Sequence, residues 1–183
     1  MTIDGKSVAF LVSKEGIEQA ELTEPWSVVD RAGGRPRLVS IEPGMVQAYR
    51  HLEPAESFRV DQTAAKADPT EYAALVLPGG VANGDLLRWQ KPARDFVREF
   101  ASTGRPIAVI CHGGWVLIDA DLVGERHITS WPSLAADYRN AGARWSDDEL
   151  VVDNDGPFTL ISSRKPADLP AFCGELLAQL DKV

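Results

Sequence analysis

The sequence predicts an α/β sandwich built on a mainly parallel central sheet, in one domain spanning 1–183. Three observations carry this. Short apolar runs alternate with longer amphipathic ones along the chain. Two of the most apolar runs, AALVL at 73–77 and PIAVI at 106–110, each lead into a turn holding a glycine pair. The length of 183 residues, with 44% hydrophobic and 25% charged residues, suits one core that needs neither disulfides nor a structural metal.

Taken in order, 6–13 (KSVAFLVS) reads as a buried strand from its shortness and β-branched content. In the next segment Ile17, Ala20, Leu22, Val28 and Val29 recur at mixed helical spacing. Gly33 and Gly34 close that segment as a C-cap does, and Pro25 inside it predicts a kink or a restart. Residues 36–41 (PRLVSI) give a second strand, completing a βαβ unit. The stretch 42–71 is irregular, with short strands or a hairpin expected around 46–50 and 57–60. A strand at 73–77 stops at Pro78-Gly79-Gly80. Phe96, Val97 and Phe100 share one face of a helix over 92–102, with Gly104 behind it. A strand at 106–110 runs into Cys111-His112-Gly113-Gly114. Helices follow at 115–120 and 134–140. Two strands, 149–153 and 158–162, flank the turn Asn154-Asp155-Gly156. An amphipathic helix over 169–180 closes the chain. In such sheets ligands bind beyond the carboxyl ends of the strands, so the site is expected where 77 and 110 end.

Composition excludes some functions. A net charge of -8 favours solubility and argues against a nucleic-acid partner. No apolar run reaches the roughly 20 residues a bilayer demands, so no membrane partner is expected. The beginning MTIDGKSVAF lacks the charged-then-apolar pattern of a secretion signal, which points to the cytoplasm. The two cysteines, Cys111 and Cys173, then read as free thiols. The three histidines, His51, His112 and His127, form no HxxxH pattern, and there is no CxxC, so no metal site is expected.

Cys111 is the principal candidate for chemistry. A nucleophile where a strand turns sharply into a helix is exposed by the turn, and glycines after it tolerate the close packing. Amides at the helix start and the helix dipole favour a thiolate there. The competing reading is a small buried hydrophobe ending a strand. Cys173, in LPAFCGELLAQL, has the amphipathic setting of a structural cysteine.

ALVLPGG at 74–80, PIAVICHGG at 106–114, ITSWPSLAADYRNAGARWSDDELVVD at 128–153 and SSRKPADLPAF at 162–172 resemble the DJ-1/PfpI family, in particular its PfpI, or protease I, branch. GIEQAELTEP at 16–25 is similar to that family's first acidic loop. The likeness runs from about residue 6 to 180 with the motifs in order. It implies a three-layer α/β/α sandwich, flavodoxin-like and related to class I glutamine amidotransferases. It implies a nucleophile at Cys111 and a carboxylate at Glu21 hydrogen-bonded to the sulfur. Glu18 matches a second acidic position, and His112 the histidine following the cysteine. The backbone N–H groups of Gly80 and His112 match an oxyanion hole. The family's triad glutamate, counted from the glycine pair, falls on Gly84, with Asp85 beside it as a substitute.

The expected chemistry is a cysteine-dependent hydrolase or lyase acting on reactive aldehydes or glycation adducts, deglycase- or glyoxalase III-like, with peptidase activity a weaker version. The partners are then a small electrophile or modified protein side chains, and no cofactor is called for. The alternative is a redox sensor or chaperone-like protein whose Cys111 oxidises under stress. A glutamine-amidotransferase module would need a distant His and Glu pair, and the C-terminal third offers only His127. For His112 the ring acts as acid or base, or only its N–H serves. Trp131 walls the pocket or packs in an interface or core. The family likeness also implies a homo-oligomer, dimeric or larger.

Overall fold

In the first strand of the sheet, β1 (Ser7–Val12), Val8, Phe10 and Val12 face one hydrophobic core while Ala9 and Leu11 face another. This two-residue alternation places a core on each side of the sheet. The computed structural model describes residues 3–183. After β1 come β2 (Glu15–Glu18), α1 (Gln19–Arg31), β3 (Arg35–Ser40), β4 (Met45–Arg50), β5 (Glu53–Arg59) and β6 (Gln62–Thr63). Then follow β7 (Ala74–Leu77), α2 (Val81–Trp89), α3 (Lys91–Ser102), β8 (Ile107–Ile110) and α4 (Trp115–Asp119). The chain ends with β9 (His127–Ile128), α5 (Ala135–Asn140), β10 (Arg144–Trp145), β11 (Leu150–Asp153), β12 (Leu160–Ser163) and α6 (Leu169–Leu180).

The central sheet runs β11-β12-β8-β7-β1-β3-β6, and all its pairs are parallel except β11 with β12. On one face Leu75, Leu77, Ile107 and Val109 pack against Leu87 of α2, Phe96 and Phe100 of α3 and Val116 of α4. On the other, Ala74, Val76, Ala108 and Ile110 meet Leu22 and Val29 of α1 and Phe172 and Leu176 of α6. The result is the α/β/α sandwich the sequence predicts. No helix among the described residues is long and apolar enough to cross a membrane.

Three local readings need correction. The segment beginning at 15 is not helical throughout: Glu15–Glu18 forms β2, which pairs with β4 of a small side sheet β2-β4-β5. The helix proper runs without interruption through the buried Pro25. Segment 81–89, which carries no element in the sequence reading, is α2. Its Asn83 is buried and tied into the fold: Nδ2 donates to the Pro78 and Gly79 carbonyls at 2.9 and 3.1 Å, and Oδ1 accepts from the Ser13 N–H at 2.8 Å. The glycine pair at 33–34 does cap α1, its N–H groups reaching the Asp30 and Val29 carbonyls, with Gly33 at φ 87°.

Candidate active site

The sheet brings the ends of β7 and β8 side by side, and the site is built on the two turns that leave them. Cys111 has φ 60°, a left-handed conformation for a residue with a side chain. That turn is held on both sides. The Cys111 N–H donates to the Ser163 carbonyl at 3.0 Å, its carbonyl accepts from Trp131 N at 3.4 Å, and Gly113 N donates to Ile110 O at 3.0 Å. A side chain at Gly113 would run into the Leu77 and Pro78 carbonyls, so only glycine permits the approach of the two turns. Gly80, at φ 96°, similarly leaves room for the Gly16 carbonyl.

The thiol is about 7% exposed and packs partly against the α1/α6 core. Four groups surround its sulfur. The backbone N–H groups of Gly80 and His112 point at it. His112 Nδ1 lies 3.1 Å away. The Glu21 carboxyl approaches across Gly79, whose bare Cα faces both Glu21 Oε2 and Cys111 Cβ. Glu21 sits in the first turn of α1 and is fully buried; Oε2 accepts from Gly79 N–H at 3.0 Å, while Oε1 has no hydrogen-bond partner.

Burial, followed by the nearby Glu18 charge, raises the Glu21 pKa to about 8, so at neutral pH the acid holds its proton. The Cys111 thiol is also pushed up, by burial first and by Glu21 second, with the Gly80 and His112 amides acting against both. This corrects the expectation of a resting thiolate held by a helix dipole. The helix after the turn, α4, is five residues long and begins four residues beyond the sulfur. The resting pair is thiol beside carboxylic acid, and a base must take the thiol proton. His112, its pKa lowered by burial, is neutral and has a ring nitrogen in reach.

The remaining candidates divide. Trp131, about 40% exposed, stacks on the His112 ring at 5.9 Å and so walls the site. Trp115 meets the same ring edge-on at 5.2 Å. Glu18 faces the cleft, with Oε2 accepting from His51 N–H at 3.0 Å. Asp85 is exposed at the cleft wall. Gly84 faces the other way: a Cβ there would strike the His112 carbonyl and lie 3.1 Å from Trp115, so no acidic side chain fits. His127 is exposed elsewhere, near Ser146, and Cys173 lies in a separate cavity between α1 and α6. The cleft above Cys111 has a volume of about 1080 Å³. Sequence reasoning missed Tyr49, His51 and Leu52 on its far wall, which come from the hairpin β4-β5. That hairpin was legible, but nothing in its sequence says it folds over β7 and β8. Among the described residues no cluster of three or more His, Cys, Asp or Glu side chains could hold a metal.

Comparison with known proteins places this geometry. The model of the DJ-1/PfpI family matches residues 6–179. The chain is 36% identical to protein/nucleic acid deglycase 2 of Escherichia coli (strain K12) over 175 residues, which cover 96% of this chain and 98% of the relative. It is 38% identical to a deglycase of Pyrococcus horikoshii, covering 94% of this chain and 98% of that one. The crystal structure of a two-domain protein from Anabaena variabilis, containing DJ-1/ThiJ/PfpI-like and ferritin-like domains, superposes with a TM-score of 0.89 at 32% identity. That match covers 96% of this chain and 48% of the two-domain chain.

Proposed function

The chain belongs to the DJ-1/PfpI family, and from that premise we propose that it is a Cys111-dependent hydrolase of the deglycase type, acting on reactive aldehydes or their early adducts with amines and guanidines. One observation carries the reading: a cysteine at φ 60° with two backbone N–H groups, a neutral imidazole and a protonated carboxyl all directed at its sulfur.

Each group has a task. As the sulfur adds to the substrate carbonyl, its proton passes to His112 Nδ1. The carbonyl oxygen takes up negative charge near the N–H groups of Gly80 and His112, which are fixed in place beforehand. Glu21 keeps a proton to donate and prevents two anions from facing each other. For a methylglyoxal adduct the net change is R–NH–CH(OH)–CO–CH₃ + H₂O → R–NH₂ + CH₃–CH(OH)–COOH. One carbon is oxidised as its neighbour is reduced, and the atoms balance without an external electron carrier.

Turnover of methylglyoxal and of its amine adducts by wild type and Cys111→Ala tests the proposal. Equal rates in the two proteins would remove Cys111 from the chemistry. We also propose self-association, supported by exposed Leu52 and Val81 at the cleft mouth, about 90% and 58% accessible. Light scattering reads it directly.

A further inference from the structure

We propose that Asp137 is a positioning residue for His112, joining the two indoles that clamp the imidazole against Cys111. The role rests on the reading of His112 as the base for the Cys111 thiol, and it adds the device that aims that base.

An imidazole that takes a proton from a nucleophile is commonly aimed by a carboxylate or carbonyl bonded to its other nitrogen. Among the described residues the His112 ring bonds only the Cys111 sulfur, through Nδ1. Gly84, where the family likeness implies an acid, has no room for one. The orientation of the ring therefore comes from packing. Trp115 meets it edge-on with centroids 5.2 Å apart, and Trp131 stacks on it at 5.9 Å. Two rings aim a third only as well as they are themselves fixed.

Trp115 is fixed on three sides. Its Nε1–H donates to Asp137 Oδ2 at 2.8 Å. The Arg88 guanidinium lies 5.3 Å from its ring centroid and is itself held by Asp119 through two bonds of 3.0 Å. The backbone of α2 closes in at Gly84, where a Cβ would stand 3.1 Å from Trp115 Cε3.

Asp137 connects this indole to the other one. It lies in α5, which follows without a break from the short turn Pro132–Leu134 that Trp131 precedes. The Leu134 N–H donates to the Trp131 carbonyl at 3.0 Å, so Trp131 and α5 move as one piece. A single bond from Asp137 to Trp115 thus ties the α4 side of the clamp to the α5 side, with His112 between them. Among the described residues the Asp137 carboxylate enters no ion pair and bonds no side chain but Trp115.

A tie that merely joined α4 to α5 would cost stability when cut and leave the thiol alone. A tie that aims His112 changes the thiol too, and does so only while His112 is present. Alkylation of Cys111 by iodoacetamide, followed at its own peptide by mass spectrometry between pH 5 and 9, distinguishes the two. Asp137→Ala is expected to slow alkylation at pH 7 about tenfold and to move the pH profile upward. Asp137→Asn keeps an acceptor for the indole N–H and should bring the rate back to within about twofold of the parent. In a His112→Gln background Asp137→Ala should alter the rate by less than about twofold, because nothing is left to aim. Equal slowing in both backgrounds overturns the proposal, and so does a His112→Gln protein that alkylates like its parent. Should Asp137→Ala fold poorly, Trp115→Phe removes the N–H donor but keeps a ring, and the same two backgrounds decide. Turnover separates this claim from the function: a parent inactive on methylglyoxal adducts, with the alkylation pattern intact, sinks the deglycase reading while the clamp stands.

Discussion

His112 Nδ1 stands 3.1 Å from the sulfur of Cys111, its immediate neighbour in the chain. Adjacent residues do not ordinarily turn both side chains to one point. They do so here because Cys111 is in the left-handed region, which swings its Cβ round toward the following ring. The ring is then fixed between Trp115 and Trp131. Replacing His112 by Gln keeps the backbone N–H but removes the base. Turnover is expected to fall roughly 10²-fold, and the pH profile of Cys111 alkylation to move upward. An unchanged alkylation profile would limit His112 to its backbone N–H.

Glu21 links the site to stability. Its pKa of about 8 in the folded chain lies above the ordinary carboxyl value, so the native state binds more protons than the unfolded state between those limits. The Glu21 contribution is fully present at pH below the unfolded value and is lost as pH rises toward 8. Within that window each tenfold fall in proton concentration removes up to about 1.4 kcal/mol. Glu21→Gln keeps the acceptor for Gly79 N–H and cannot ionise. Urea unfolding at pH 5, 7 and 8.5 should show the variant gaining on wild type at each step upward. A constant difference across the series would mean that Glu21 is already ionised in the folded chain at pH 5, with no raised pKa.

Gly84 sets a steric test of the family's triad. The family resemblance implies an acid at this position, but the helix α2 turns it into the His112 carbonyl and the Trp115 ring. Gly84→Glu is therefore expected to destabilise the fold by about 1–3 kcal/mol, as overpacking does, and to lower Cys111 reactivity by displacing His112. Thermal melting checks the first effect and alkylation the second. A stable Gly84→Glu protein with new peptidase activity would overturn the placement.

These residues show where the sequence was readable. Cys111, Glu21, Gly80 and His112 could be assigned to one place in advance because strand ends, glycine pairs and the family motifs are local signals that converge at one end of a parallel sheet, and the structure brings these four together there. The ionisation of Cys111 was not legible: burial and a facing acid arise from α1 and β8 meeting, and no local pattern reports how much water the turn excludes. The helix at 81–89 was hidden for a related reason. Asn-Gly favours a turn, but Asn83 is buried, bonded to Pro78, Gly79 and Ser13, and Gly84 allows the close approach to His112. Tertiary contacts overrode the local preference there.

The wall of the cleft that carries Trp131 depends on a buried ion pair remote from the chemistry. Arg126 Nε bonds Asp153 Oδ1 at 3.1 Å, and Nη2 reaches the Asp153 and Phe158 carbonyls at 3.1 and 2.8 Å. The guanidinium lies over the Phe158 ring at 4.6 Å. Burial alone would raise the Asp153 pKa, but the N–H groups of His127 and Asp155 together with Arg126 hold it below the usual carboxylate range. Its stabilisation is therefore present at neutral pH and lost as pH falls through that lowered value. Arg126→Leu leaves the carboxylate buried with backbone donors only and should cost about 3–5 kcal/mol at pH 7. The loss should shrink near pH 3, where the unpaired acid is protonated. Arg126→Lys should restore little of it, because an ammonium cannot span the carboxylate and both carbonyls or cover the ring. Because His127 begins the segment leading to Trp131, whose N–H holds the Cys111 carbonyl at 3.4 Å, Arg126→Leu should also raise the KM for adducts more than it lowers kcat. Urea unfolding at the two pH values and steady-state kinetics on the folded fraction measure both effects; a variant as stable as wild type at pH 7 would show that the pair contributes nothing beyond its own desolvation.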